Sequence, residues 1–84
     1  MRNIPCRIAK KDLVDGAYYQ GSCRNASVAR WNGEREVFVY WRYSFGDFFL
    51  EEIKHPEDDK IYDVFIVERI LSPEETPAKE IPFR

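Results

Sequence analysis

Val37-Phe38-Val39-Tyr40-Trp41-Arg42-Tyr43 is the densest run of β-branched and aromatic side chains in the chain, the composition that a packed, pleated strand selects. The two-residue period of a strand puts Val37, Val39, Trp41 and Tyr43 on one face and Phe38, Tyr40 and Arg42 on the other. Neither face is plainly polar. A strand that is apolar on both sides needs cover on both sides. This run is therefore expected to be central, enclosed by a curled barrel wall or by a second copy of the chain.

Working outward, the neighbouring segments also read as strands. Residues 17–24 carry Tyr18, Tyr19 and Cys23, with Gly21 in the middle marking a bulge or the close approach of another backbone. Asn25 turns the chain, and residues 27–31 follow as a second strand. Asn32-Gly33 is the strongest short hairpin signal, because a two-residue type I′ turn needs positive φ at both central positions. Gly46-Asp47 reads as a further turn and residues 48–54 as a strand, with Phe49 and Ile53 opposite Phe48, Leu50 and Glu52. His55-Pro56-Glu57-Asp58-Asp59 is a polar loop, in which His55 is expected to be exposed or in a turn. The last strand is expected over residues 61–70.

At the start, Ile4, Cys6 and Ile8 alternate around Pro5, which suits an edge strand or an extended arm. Residues 9–13 allow one helical turn before the Asp15-Gly16 turn signal. Ser72-Pro73-Glu74-Glu75 resembles a helix start, but Pro77 and Pro82 forbid a helix of useful length. The pattern predicts an all-β domain over residues 1–71, with residues 72–84 as an extended or mobile tail. About five short antiparallel strands would form a small, partly open barrel of SH3-like or OB-like type. A single sheet that dimerises through one face is the alternative.

The 84 residues suffice for one domain. Thirteen of them are aromatic, namely six Phe, five Tyr and two Trp. A domain this small cannot hide Tyr18, Tyr19, Trp31, Phe38, Tyr40, Trp41, Tyr43, Phe45, Phe48 and Phe49 together, so some should reach the surface, where Tyr, Trp and Arg supply binding hot spots. Net charge is −2, but it is unevenly spread: residues 1–42 hold eight Lys/Arg against four acids, and residues 43–84 hold five against eleven. The two halves make either a polarised surface or, if hairpins interleave them, internal neutralisation. No apolar run approaches 18 residues and the N-terminus lacks the apolar core of a signal peptide. The expectation is a cytoplasmic protein with no membrane contact.

Arg24, Asn25, Arg30, Trp31, Tyr40 and Arg42 form the candidate binding set. Guanidinium forks fit phosphate or carboxylate, and rings stack on bases. The competing reading pairs these arginines with Asp47, Glu51, Glu52 or Asp63 on neighbouring strands, Asp63 with Arg42 in particular. The acidic loop 57–59 lacks the alternating oxygen spacing of a calcium loop. One histidine and two cysteines, Cys6 and Cys23, do not supply the usual zinc ligand set, and a Cys6–Cys23 disulfide is less expected than two free thiols. No metal or cofactor is expected. No phosphate loop or nucleophile motif occurs, although a pairing of Cys6 or Cys23 with His55 is the one catalytic arrangement left open. These features favour a non-enzymatic binding module, an adaptor or inhibitor that docks on a larger protein. A binder of nucleotides or single-stranded nucleic acid is the alternative, and a small hydrolase-type enzyme comes last. A homodimer is left open.

Overall fold

The computed structural model describes residues 7–58 and 63–83. The described residues build one five-stranded antiparallel sheet: β1 (Tyr18–Ser22), β2 (Val28–Asn32), β3 (Val37–Ser44), β4 (Asp47–Ile53) and β5 (Ile66–Ile70). The order across the sheet is β4-β3-β2-β1-β5. The first four strands form a meander, and the chain then crosses from one edge to the other to add β5 beside β1. Two single 3₁₀ turns, Lys10–Asp12 and Pro73–Glu75, are the helical elements among the described residues. The sheet is not closed: one isolated bridge, Lys54 to Val64, links the end of β4 to the approach to β5. The five-stranded all-β expectation therefore holds, without closure into a barrel.

The register separates two faces. Trp31, Phe38 and Ile53 stand abreast on β2, β3 and β4, and Tyr19 pairs with Ala29. With Tyr40, Phe65 and Val67 they form the main core. Phe38 is its centre, with ring centroids 4.8 Å from both Trp31 and Phe65 and 6.2 Å from Tyr19. Ile8 and Leu13 pack on this face from the N-terminal side. The opposite face carries Tyr18, Val28, Arg30, Val39, Trp41 and Leu50.

That second face explains why the 37–43 run has no polar side. Within the chain, residues 77–83 cover it. Ile81 is only 2% exposed. Its backbone N–H donates to the Tyr18 hydroxyl at 2.9 Å, and its carbonyl accepts from Arg30 at 2.6 Å. Prolines keep this stretch from forming a helix, and after a bend at residues 78–79 it runs along the sheet.

Several local expectations change. The β2–β3 loop is not a type I′ turn at Asn32-Gly33. Asn32 pairs with Val37 inside the ladder, and four residues connect them, closed by a bond from Glu36 N–H to the Asn32 carbonyl at 2.7 Å. The Asn32 side chain accepts from the backbone of Glu34 and Arg35, so it caps the loop from the strand end. Positive φ falls on Glu36, at 59°. The next hairpin is tighter than expected: Ser44 pairs with Asp47, leaving Phe45 and Gly46 as a two-residue loop with φ of 53° and 80°, the signature of type I′. β5 begins at Ile66 rather than 61, because Phe65 N–H bonds back to the Lys54 carbonyl and turns the Phe65 ring into the core. Residues 61 and 62 of the expected strand, and the expected arm around Ile4 and Cys6, lie outside the described residues.

Gly21 meets both readings made of it. The β1–β5 register shifts between Gln20 and Gly21. A Cβ at Gly21 would lie on the Ile66 carbonyl oxygen and 2.8 Å from the Phe65 ring. Gly21→Ala is expected to lower stability by about 3 kcal/mol through forced strand separation, read as a fall in the urea midpoint. A midpoint within error of wild type would mean that β5 does not pack this closely.

Candidate functional site

The sequence-derived set divides between two faces and the interior. Arg24, Asn25, Tyr40 and Arg42 line one recess of about 140 Å³, together with Glu51, Ile53 and Asp63. Arg24 and Asn25 come from the β1–β2 loop; Tyr40 and Arg42 are alternate residues of β3 and share a face. Trp31 is a core residue, tilted against Phe38. Arg30 lies on the opposite face, where Nε donates to the Gly16 carbonyl at 2.8 Å. Its guanidinium also sits 4.8 Å from the centroid of Tyr18 and 4.9 Å from that of Phe83. Arg30 thus fastens residues 81–83 to the sheet.

Within the recess the cations meet acids. Arg24 bonds Asp63 at 2.9 Å and Arg42 bonds Glu51 at 2.8 Å. Glu51 also accepts from the Tyr40 hydroxyl at 2.7 Å. Asp63 is thus paired with Arg24 and not with Arg42, since Glu51 lies directly across from Tyr40 in the β3–β4 register. Asp63 is also exposed and outside β5, not an acid among apolar neighbours on that strand. The bonds from Tyr40 and Arg42 hold the Glu51 carboxyl below its ordinary range. Burial, followed by the bond to Glu51, pushes the Tyr40 phenol up to about 12.

His55 is not an exposed turn residue. It is 1% exposed and stacks on Phe38. Its Nδ1 accepts from the Glu57 backbone N–H at 3.1 Å, which leaves Nε2 to donate to the Ile8 carbonyl at 2.9 Å. The ring clips the β4–β5 crossover to the N-terminal segment. In the acidic loop, Glu57 accepts from the Lys10 backbone and Asp58 from the Lys10 ammonium, while Asp59 lies outside the described residues. Among the described residues no group of three or more His, Cys, Asp or Glu is placed to hold a metal ion. No helix among them is long and apolar enough to cross a membrane. Cys23 is a free thiol directed at the Ala26 carbonyl; Cys6 lies outside the described residues.

The surplus of rings surfaces in one place. Tyr43, Phe45, Phe48, Phe49 and Leu50 are all exposed, and all belong to the β3–β4 hairpin. β3 pairs with β2 only through Val39, so the distal half of the hairpin extends beyond the meander. Phe45 at its tip is fully exposed, at 101%. Tyr43 and Phe48 pack edge to face at 4.9 Å on one side, and Phe49 stands on the other. Sequence reasoning named these rings as surplus but placed the turn one residue late and so missed Phe45 as its apex. Counting back from the Tyr43–Phe48 pair would have found it.

Two titrations follow. Free tyrosine ionises near pH 10, whereas folded Tyr40 keeps its proton to about 12. The unfolded chain therefore holds fewer protons in that interval, and stability falls as pH rises from 10 to 12. Tyr40→Phe should flatten that part of the urea-midpoint profile; an unchanged slope in the variant would contradict the assignment. At the acid end, Glu75 is held at about 2 by Arg69 and the Ser72 backbone. Its contribution is complete above about pH 4.5 and lost as pH falls toward 2, so Glu75→Gln should reduce the acid slope. No protein-family model, no curated protein and no solved structure matches this chain.

Proposed function

We propose that this protein is a non-enzymatic binding module that docks on a larger protein by inserting the β3–β4 hairpin into an apolar cleft. The observation that carries this reading is Phe45: a bulky, fully exposed aromatic residue held at φ 53°. Left-handed backbone is costly for a large side chain and tolerable at Gly or Asn. Burial of the ring within the domain does not offset that cost here, and strain that folding does not require points to function.

The surrounding surface agrees. From their exposures, the five apolar residues present roughly 600 Å², taking about 150–250 Å² for each large side chain. A standard interface buries about 800 Å² per partner. The hairpin therefore supplies most of one side of such a contact. Its apolar residues occupy the tip and both faces, which suits a concave partner better than a flat one. The recess of Arg24 and Arg42 carries less of this reading, because each guanidinium already has a carboxylate. The isolated Lys54–Val64 bridge also supports a sheet curled toward a partly open, SH3-like or OB-like barrel, which would leave this hairpin as its projecting arm.

Phe45→Asn separates docking from folding, since Asn tolerates the left-handed conformation. Wild type and Phe45→Asn serve as baits in a quantitative pull-down from the native host, and the variant should unfold at a urea midpoint at or above that of wild type, because Asn relieves the left-handed strain. A protein captured by wild type should be depleted at least tenfold on the variant, with little effect of nuclease or of raised salt. Equal recovery on both baits would remove the hairpin tip from consideration. Loss of the captured material on nuclease treatment would favour the nucleic-acid alternative. A concentration-dependent increase in sedimentation for wild type alone would identify the partner as a second copy of the chain.

A further inference from the structure

We propose that Trp41 and Phe48 form an open aromatic cage for an ammonium group, that Lys79 of the same chain occupies it, and that a methylated or quaternary ammonium from a partner takes its place. The Lys79 Nζ lies 4.4 Å from the Trp41 centroid and 5.2 Å from that of Phe48. The two rings are nearly perpendicular, at 81° with centroids 6.3 Å apart, so they form two walls of a corner. Tyr43 buttresses Phe48 from the side, at 4.9 Å. Among the described residues Lys79 makes no ion pair with a carboxylate. The faces of the two rings are its partners. A ring face attracts a cation through its quadrupole, most strongly for Trp.

The chain itself shows which ligand fits. Lys79, at a bend over residues 78–79, and Ile81 and Phe83 beyond it all address the sheet. Lys79 brings a cation to rings of the sheet, whereas Phe83 brings a ring to Arg30, a cation of the sheet. Ile81 is the buried pin between them. The pin and the Arg30 clasp hold the segment without Lys79, and the Trp41 indole N–H donates to the Glu80 carbonyl at 3.0 Å. Lys79 is therefore the replaceable member of the three: it is exposed, and releasing it leaves the cage standing. A cleft of about 260 Å³ lined by Val28, Trp41, Phe48, Pro77, Lys79 and Ile81 opens beside it and gives an incoming side chain an approach. Methylation lowers the hydration of an ammonium and suits it to such a corner better than the lysine already there.

This inference goes beyond the docking reading and shares Phe48 and Tyr43 with the hairpin surface, but Phe45 at the tip, which carries the docking reading, forms neither wall of the cage. The test is titration of tetramethylammonium chloride into ¹⁵N-labelled wild type, Lys79→Ala and Lys79→Ala/Phe48→Leu, against sodium chloride at matched ionic strength. The indole N–H resonance of Trp41 reports the cage, and that of buried Trp31 is the internal reference. Lys79→Ala should show a saturable Trp41 shift, absent with sodium, at an affinity at least threefold tighter than wild type. The added Phe48→Leu substitution should weaken it at least threefold while amide dispersion shows an intact fold. Equal responses to tetramethylammonium and sodium would overturn the cage. Equal affinity in wild type and Lys79→Ala would overturn the role of Lys79 as its occupant. Phe45→Asn should titrate as wild type does, so failure of the docking reading and failure of the cage are separately visible.

Discussion

Phe38 is the contact through which the rest of the molecule is organised. Its ring meets Trp31 on β2, Tyr19 on β1, His55 after β4 and Phe65 at the approach to β5. Aromatic pairs in such tilted and edge-on geometries contribute about 0.5–1.5 kcal/mol each beyond area burial. These partners come from four separate parts of the chain. Once they converge on one ring, the meander and the crossover are fixed relative to one another, and the His55 bond to Ile8 adds the N-terminal segment.

A single sheet has two faces, and 84 residues do not supply a second regular layer for each. The face around Phe38 takes the N-terminal segment and the crossover. What remains for the other face is the proline-bearing stretch 77–83. It reaches from Arg30 to Trp41 and the near side of Phe48. Beyond its reach the hairpin keeps its rings exposed, so the binding surface proposed above begins where the cover ends. The same arrangement gives Arg30 a structural role: Gly16, Ile81 and Phe83 all depend on its guanidinium.

Charge follows topology in the same way. The basic first half and the acidic second half do not become opposite poles. Arg24 meets Asp63, Arg35 meets Glu52, Arg42 meets Glu51, and Lys10 meets Asp58. In each pair the cation comes from the first half and the acid from the second. The pairs are surface contacts of modest worth individually. Two of them, Arg24–Asp63 and Arg42–Glu51, neutralise the recess in which four of the candidate residues, Tyr40 among them, converge, and apolar rings are left as the unsatisfied part of the surface.

Local chemistry in the sequence determined the five strands, the bulge at Gly21, the turn at Asp15-Gly16 and the surplus of rings. Alternation, β-branching and glycine act through neighbours within a few residues, and those neighbours are visible in one dimension. The exact loops were less legible: Asn32 could serve as a turn centre or as a cap on the following loop, and only its pairing with Val37 decides. Tertiary structure alone decided what covers the second face of residues 37–43. Lys79, Ile81 and Phe83 do alternate in the sequence, but nothing local says which surface they address. That depends on Tyr18 and Arg30, about 60 and 50 residues earlier, being brought side by side by strand register. It also decided that the exposed rings gather on one hairpin, because exposure is set by where the covering chain runs out.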